Sequence, residues 1–172
     1  FLNTPVLWKD SAIYNLTQFK IEQELLSFDQ VIDSNQRLGK YVERFVSFQL
    51  SRNPTIKIIS ENIQISKDKI TLGELDCILV KNKKPIHLEI VYKFYLYDSS
   101  VGNDSLHHWI GPNRKDSLLE KLDKLQQKQL PLLYSKECKE YLQSIDLNAK
   151  DIEQHVYFKA QLFERKNISL EP

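Results

Sequence analysis

The stretch from Thr71 to Asp98, TLGELDCILVKNKKPIHLEIVYKFYLYD, constrains the fold of this chain more than any other. It reads as two long strands joined by a polar turn, KNKK at 81–84. Strand side chains alternate between two faces. In the second strand Ile86, Leu88, Ile90, Tyr92, Phe94 and Leu96 share one face; His87, Glu89, Val91, Lys93, Tyr95 and Tyr97 share the other. In the first, Leu75, Cys77 and Leu79 oppose Glu74, Asp76 and Ile78. A turn centred on Asn82 and Lys83 pairs 80 with 85, 78 with 87 and 76 with 89. Asp76 then lies opposite Glu89 on one face. Opposed Cβ atoms are roughly 4.5–5.5 Å apart, and like charges there destabilise a sheet. The length and apolarity of both strands point to cover on both sides, where an unpaired acid is expensive. A divalent cation, Mg²⁺ or Mn²⁺, held through one or two carboxylates and waters, would offset the repulsion. The plainer alternative is a solvated face on which Lys93 neutralises one acid.

The flanking sequence supplies helices. SNQRLGKYVERFVSFQLSR, 34–52, carries Leu38, Tyr41, Val42, Phe45 and Phe48 at helical spacing, with Ser34 as N-cap. Gly39 and Glu43 share another face, and a mid-helix glycine is easiest to understand where something packs close. Glu43 is either a surface acid or a third carboxylate facing the pair. Residues 54–67 read as a strand or bent strand pair, and KDK at 67–69 as the turn into the strand with Asp76. The loop 98–112 holds His107, His108 and Trp109; adjacent histidines point apart, and Trp109 is expected to pack. NRKDSLLEKLDKLQQKQ, 113–129, reads as a helix capped by Asn113 and Asp116, with Leu118, Leu122 and Leu125 buried. Arg114, Ser117, Lys121, Lys124 and Lys128 fall on one flank, either a solvated face or a phosphate-tracking stripe. Residues 135–146 form a short helix and 152–165 a further strand. The first 33 residues are a lead-in and a rough helix packed from outside.

This is one domain, residues 1–172, with the core at 34–165. At 41% hydrophobic and 27% charged it is ordinary for a globular chain, and a net charge of +1 leaves any nucleic-acid contact to a local patch. No run of apolar residues is long enough to span a membrane. Cys77 and Cys138 sit in no metal-type spacing and read as reduced thiols of a cytoplasmic protein. The absence of methionine points to a fragment or processed form of a longer chain.

The order helix, three-strand antiparallel meander, helix, further strand resembles the α/β core of the restriction-endonuclease-like, PD-(D/E)xK, phosphodiesterase superfamily. Within it, RLGKYVERF, GELDCIL, HLEIVYKFYL and WIGPNRKDSLLEKLDKL look like an uncharacterised bacterial family catalogued as a domain of unknown function. The resemblance implies a Mg²⁺- or Mn²⁺-dependent nuclease. Asp76, Glu89 and the Ile90 carbonyl would hold the metal, and Lys93 would assist the attacking water. Glu43 and Glu74 would be accessory acids. Arg114, Lys121, Lys124 and Lys128 would hold DNA or RNA, with room for a homodimer. The sequence departs from the pattern at Val91, where a lysine is usual. Lys93 is one strand repeat further on, roughly 13 Å from Glu89 between Cα atoms, and Lys121 is another substitute. The alternative is a catalytically inactive nucleic-acid- or protein-binding module on the same scaffold.

Overall fold

The computed structural model describes residues 1, 3–9, 12–21 and 37–165. Helix α1 (Leu38–Ser51) precedes three long strands, β1 (Ile56–Lys67), β2 (Ile70–Lys81) and β3 (Lys84–Tyr97). A two-residue strand β4 (Trp109–Ile110), helices α2 (Leu118–Lys124) and α3 (Lys136–Ser144) and strand β5 (Glu153–Phe163) follow. β1, β2 and β3 form the expected antiparallel meander, and β5 lies parallel to β3 on its other edge.

The hairpin turn is as the sequence implies. Asn82 and Lys83 both take left-handed backbone angles, φ 51° and 68°, the conformation whose twist matches the flanking strands. It pins the register at Lys81–Lys84, Val80–Pro85 and Ile78–His87. Pairing then stops at Cys77–Leu88, one step short of the expected Asp76–Glu89 pair. β5 continues along β3 from Ile86 to Leu96, while β4 joins only at Leu96 and Tyr97. β2 and β3 thus fork at Asp76, and the β2-side edge of β3 has no ladder partner from Glu89 to Tyr95 among the described residues.

Both faces of β3 are covered. On one, Val42, Val46 and Leu50 of α1 pack on Cys77, Leu79, Ile86 and Leu88. The helix therefore buries a stripe centred on Val46; Leu38 is half exposed. On the other, Val91, Tyr95, Val156 and Phe158 meet Leu118, Leu122 and Leu125. Each fully buried aliphatic or aromatic side chain contributes on the order of 1.5–3 kcal/mol. In a third cluster Leu75 and Ile78 pack with Leu133, Cys138 and Leu142. Strict alternation would place Leu75 with Cys77 and Leu79. Instead the two lie in different clusters, so the alternation breaks at Asp76.

Three further expectations are corrected. α2 begins at Leu118, capped by Ser117 in a capping box with Glu120, instead of by Asn113 and Asp116. After Lys124 the chain widens into a π-helical turn, Leu125–Gln129, and tightens into a 3₁₀ turn, Leu130–Tyr134, with Pro131 in its first turn. The lead-in enters the core: Trp8 and Leu16 are buried, and the segment lies along β5 through Val6–Lys159 and Gln18–Val156 bridges. Ser34 lies outside the described residues. Cys77 and Cys138 are both buried and free.

Gly39 is not a close-packing site, since a Cβ there would meet nothing within 4 Å. Replacing it should only remove unfolded-chain entropy. Gly39→Ala is expected to raise the unfolding free energy by about 0.5–1 kcal/mol, read from the midpoint of urea denaturation.

Candidate functional site

The fork gathers charged groups from three elements. Asp76, on β2, uses Oδ2 to accept the Ile90 N–H at 2.8 Å. A side chain here replaces the backbone carbonyl that an unbroken ladder would have offered. Asp76 and Ile90 line a cleft of about 260 Å³ beneath α1, with Lys40, Glu43, Ser47 and Glu61 on its walls.

Glu89, the next residue along β3, turns the other way, toward α2. It is fully buried. Oε1 accepts from His87 Nε2 at 2.9 Å, and Oε2 accepts from Gln129 Nε2 at 2.5 Å. Gln154 fixes the His87 tautomer: its Nε2 donates to His87 Nδ1 at 3.1 Å and to the Leu130 carbonyl at 2.6 Å. The histidine proton therefore sits on Nε2 and points at Glu89. Gln129 accepts from Lys121 Nζ at 2.7 Å. A continuous polar chain runs Lys121, Gln129, Glu89, His87, Gln154 through the core under α2.

Asp76 and Glu89 remain in electrostatic contact across the fork. Burial pushes the Asp76 carboxyl up to about 7, and the charges of Glu89 and Glu43 add to the rise. The Ile90 N–H and the Lys121 ammonium oppose it. Lys121 is shifted the other way: burial lowers it to about 8, against the pull of Glu89 and Asp76. A carboxyl and an amine with strongly displaced affinities, coupled electrostatically across the fork, are the arrangement expected of a functional site.

The remaining candidates are placed as follows. Lys93 shares the Glu89 face of β3 but is bound to Asp116 at 2.7 Å, with about two-fifths of its side chain exposed. Val91 is buried in the apolar cluster under α2. Glu43 and Glu74 are bridged by one amine, Lys40, at 2.6 and 3.3 Å. The flank of cations on α2 is divided: Lys121 turns inward, Lys124 and Lys128 are exposed, and Arg114, in the preceding turn, holds Asp98 at 2.8 Å. His107 and His108 bond separately, to Asp104 and to the Val101 carbonyl. Among the described residues no three His, Cys, Asp or Glu side chains converge at metal-holding range.

Sequence reading gave no role to Gln129, Gln154, His87 or Lys40. Only His87 carried a signal, two residues before Glu89 on the same face. Gln129 comes from a π turn whose phase the sequence does not show, and Gln154 from β5, whose pairing with β3 it does not show either.

The Asp76 shift has a thermodynamic sign. The folded chain binds this proton more tightly than an unfolded one, where the group titrates near 3.8. Stability from this group is whole below about 3.8 and is lost as pH rises toward 7. Asp76→Asn keeps an acceptor for Ile90 and removes the titration. It is expected to melt higher than the parent by roughly 2–6 °C at pH 8. That gap should shrink steadily toward pH 4.5; thermal melts across that range check it.

No curated protein and no solved structure matches the chain. One family does, over residues 10–172, the whole fork and every element around it included. The chain belongs to that family, described as a domain of unknown function, DUF1853.

Proposed function

We propose that the fork is the active site of a metal-dependent phosphodiesterase acting on nucleic acid, built as in the PD-(D/E)xK superfamily. The observation that carries this reading is geometric: where β2 leaves β3, the Asp76 carboxylate caps the Ile90 N–H, and Glu89, one residue away, is joined through Gln129 to the Lys121 amine.

The carboxylates on either side of the fork are oxygen donors of the kind a hard divalent cation takes. Asp76 is short of positive charge, as its response to Glu89 and Glu43 indicates. The two bonds to Glu89 come from the neutral donor Gln129 and from His87, and each carboxylate oxygen keeps a second lone pair. Asp76, Glu89 and the Ile90 carbonyl would hold Mg²⁺ or Mn²⁺, the rest of its shell being water and phosphate oxygen. Bound there, the ion would supply charge neutralisation and a water of lowered pKa.

The chain's own groups divide the remaining work. Lys121 brings the amine that Val91 does not, entering from the covering helix, and in its charged form stabilises the developing negative charge. Lys93, tied to Asp116, lies at the rim. Lys124 and Lys128 give α2 two exposed cations with which to hold a phosphate backbone. Lys40 keeps Glu43 and Glu74 together on the far wall. The second reading, a binding module without catalysis, is favoured by one observation: both oxygens of Glu89 already have protein partners.

Cleavage of plasmid DNA and of single-stranded RNA with Mg²⁺ or Mn²⁺ separates the two. Under the catalytic reading Asp76→Asn and Lys121→Met each lower the rate by at least about 100-fold. Lys93→Met, removing only a rim pair, changes it by less than about fivefold. Nucleic acid bound without cleavage, and no thermal shift with either metal, would establish the binding module instead.

A further inference from the structure

We propose that Gln129 is a positioning residue that locks the Lys121 amine to the buried Glu89 carboxylate, and that the π-helical turn exists to place it there. The proposal rests on the phosphodiesterase reading only for the chemical task it gives Lys121.

The geometry suits a primary amide. Lysine can only donate and an ionised carboxylate can only accept. A side chain bridging them must accept at one end and donate at the other. Gln129 does so, with Oε1 facing Lys121 at 2.7 Å and Nε2 facing Glu89 at 2.5 Å. The two neighbours thus determine which way the amide points. The far side of Glu89 is closed by His87, itself held by Gln154. Glu89 is completely buried, so solvent cannot replace either of its two partners.

Helix phase explains the π turn. Lys121 and Gln129 are eight residues apart, and in an unbroken α-helix they would be roughly 80° apart around the axis. Each residue of a π turn advances by roughly 80° instead of 100°. Four such steps across Leu125–Gln129 bring residue 129 to within roughly 10° of Lys121. The same turn keeps Leu125 in the apolar cluster with Leu118 and Leu122. π turns are rare, and often mark sites where a side chain must leave the helical phase.

The test is the reactivity of individual lysines in the whole chain. Acetylation by an N-hydroxysuccinimide ester is followed residue by residue by mass spectrometry, with Lys124 and Lys128 as internal controls. Gln129→Met, similar in length but unable to bridge, should speed labelling of Lys121 at least about fivefold and leave the controls unchanged. Glu89→Gln should do the same, because a Gln at 89 has one oxygen for two donors and turns the Gln129 amide so that its N–H groups face Lys121. In the Gln129→Met background Glu89→Gln should then add less than about twofold, since the link is already cut. Additive effects, an unchanged Lys121, or equal acceleration at all three lysines would each overturn the positioning role. Cleavage plays no part in this readout. An inert parent with coupled Lys121 would sink the phosphodiesterase reading alone, and a cleaving parent with uncoupled Lys121 the positioning role alone.

Discussion

β3 has two edges, and among the described residues only one is filled along its length. β5 holds the first edge from Ile86 to Leu96, so the strand stays extended whatever happens on the other. β2 leaves that second edge after Leu88. A strand edge with bare N–H groups inside a covered sheet would be costly, and the Asp76 carboxylate meets the first of them at Ile90. A hydrogen bond to a charged acceptor contributes about 1.5–3 kcal/mol. It is opposed by removing that carboxylate from water, the largest cause of the Asp76 shift. The fork therefore stands in a half-buried acid under tension, open on one side to a cleft.

Alternation along β3 makes the fork two-sided. Ile90 belongs to the α1 side and Glu89 to the α2 side, one residue apart. Asp76, at the point where β2 breaks its own alternation, responds to Glu43 from the first and to Glu89 and Lys121 from the second. Burial is the first cause of both the rise of Asp76 and the fall of Lys121. Burial on the two sides of the fork thus draws an acid and a base toward the same pH without an exotic residue in either place.

Much of this was readable from residues alone. The turn at Asn82 and Lys83 and the two-residue period give the register from the turn out to Cys77–Leu88. The parallel strand at 153–163 was visible as a strand but not as the partner of β3. Helix phase was the main loss. The expected stripe of Arg114, Ser117, Lys121, Lys124 and Lys128 assumed one uninterrupted α-helix. The helix starts later, Lys121 lies beside the buried seam of Leu118, Leu122 and Leu125, and the widening at Leu125 changes the phase of the residues after it. No local propensity distinguishes LQQKQ as a π turn. The break between Leu75 and Cys77 was likewise hidden, because both residues are apolar and both are buried, on opposite faces.

Val91 shows why the cationic group enters from α2. The residue sits among Leu118, Leu122 and Leu125, where a lysine would have to desolvate its stem and amine against apolar side chains. Lys93, the next residue on that face, reaches the rim and is taken by Asp116. Lys121 precedes Leu122 on the covering helix, so its stem can lie over the same apolar layer while its amine reaches the fork. Placing the charge on the helix leaves the strand free to be pure core at 91. It also makes the charge depend on how the helix is wound. A strand lysine would be set by the pleat; a helix lysine needs a second residue from the same helix to hold it, and the widened turn that ends in Gln129 meets that need.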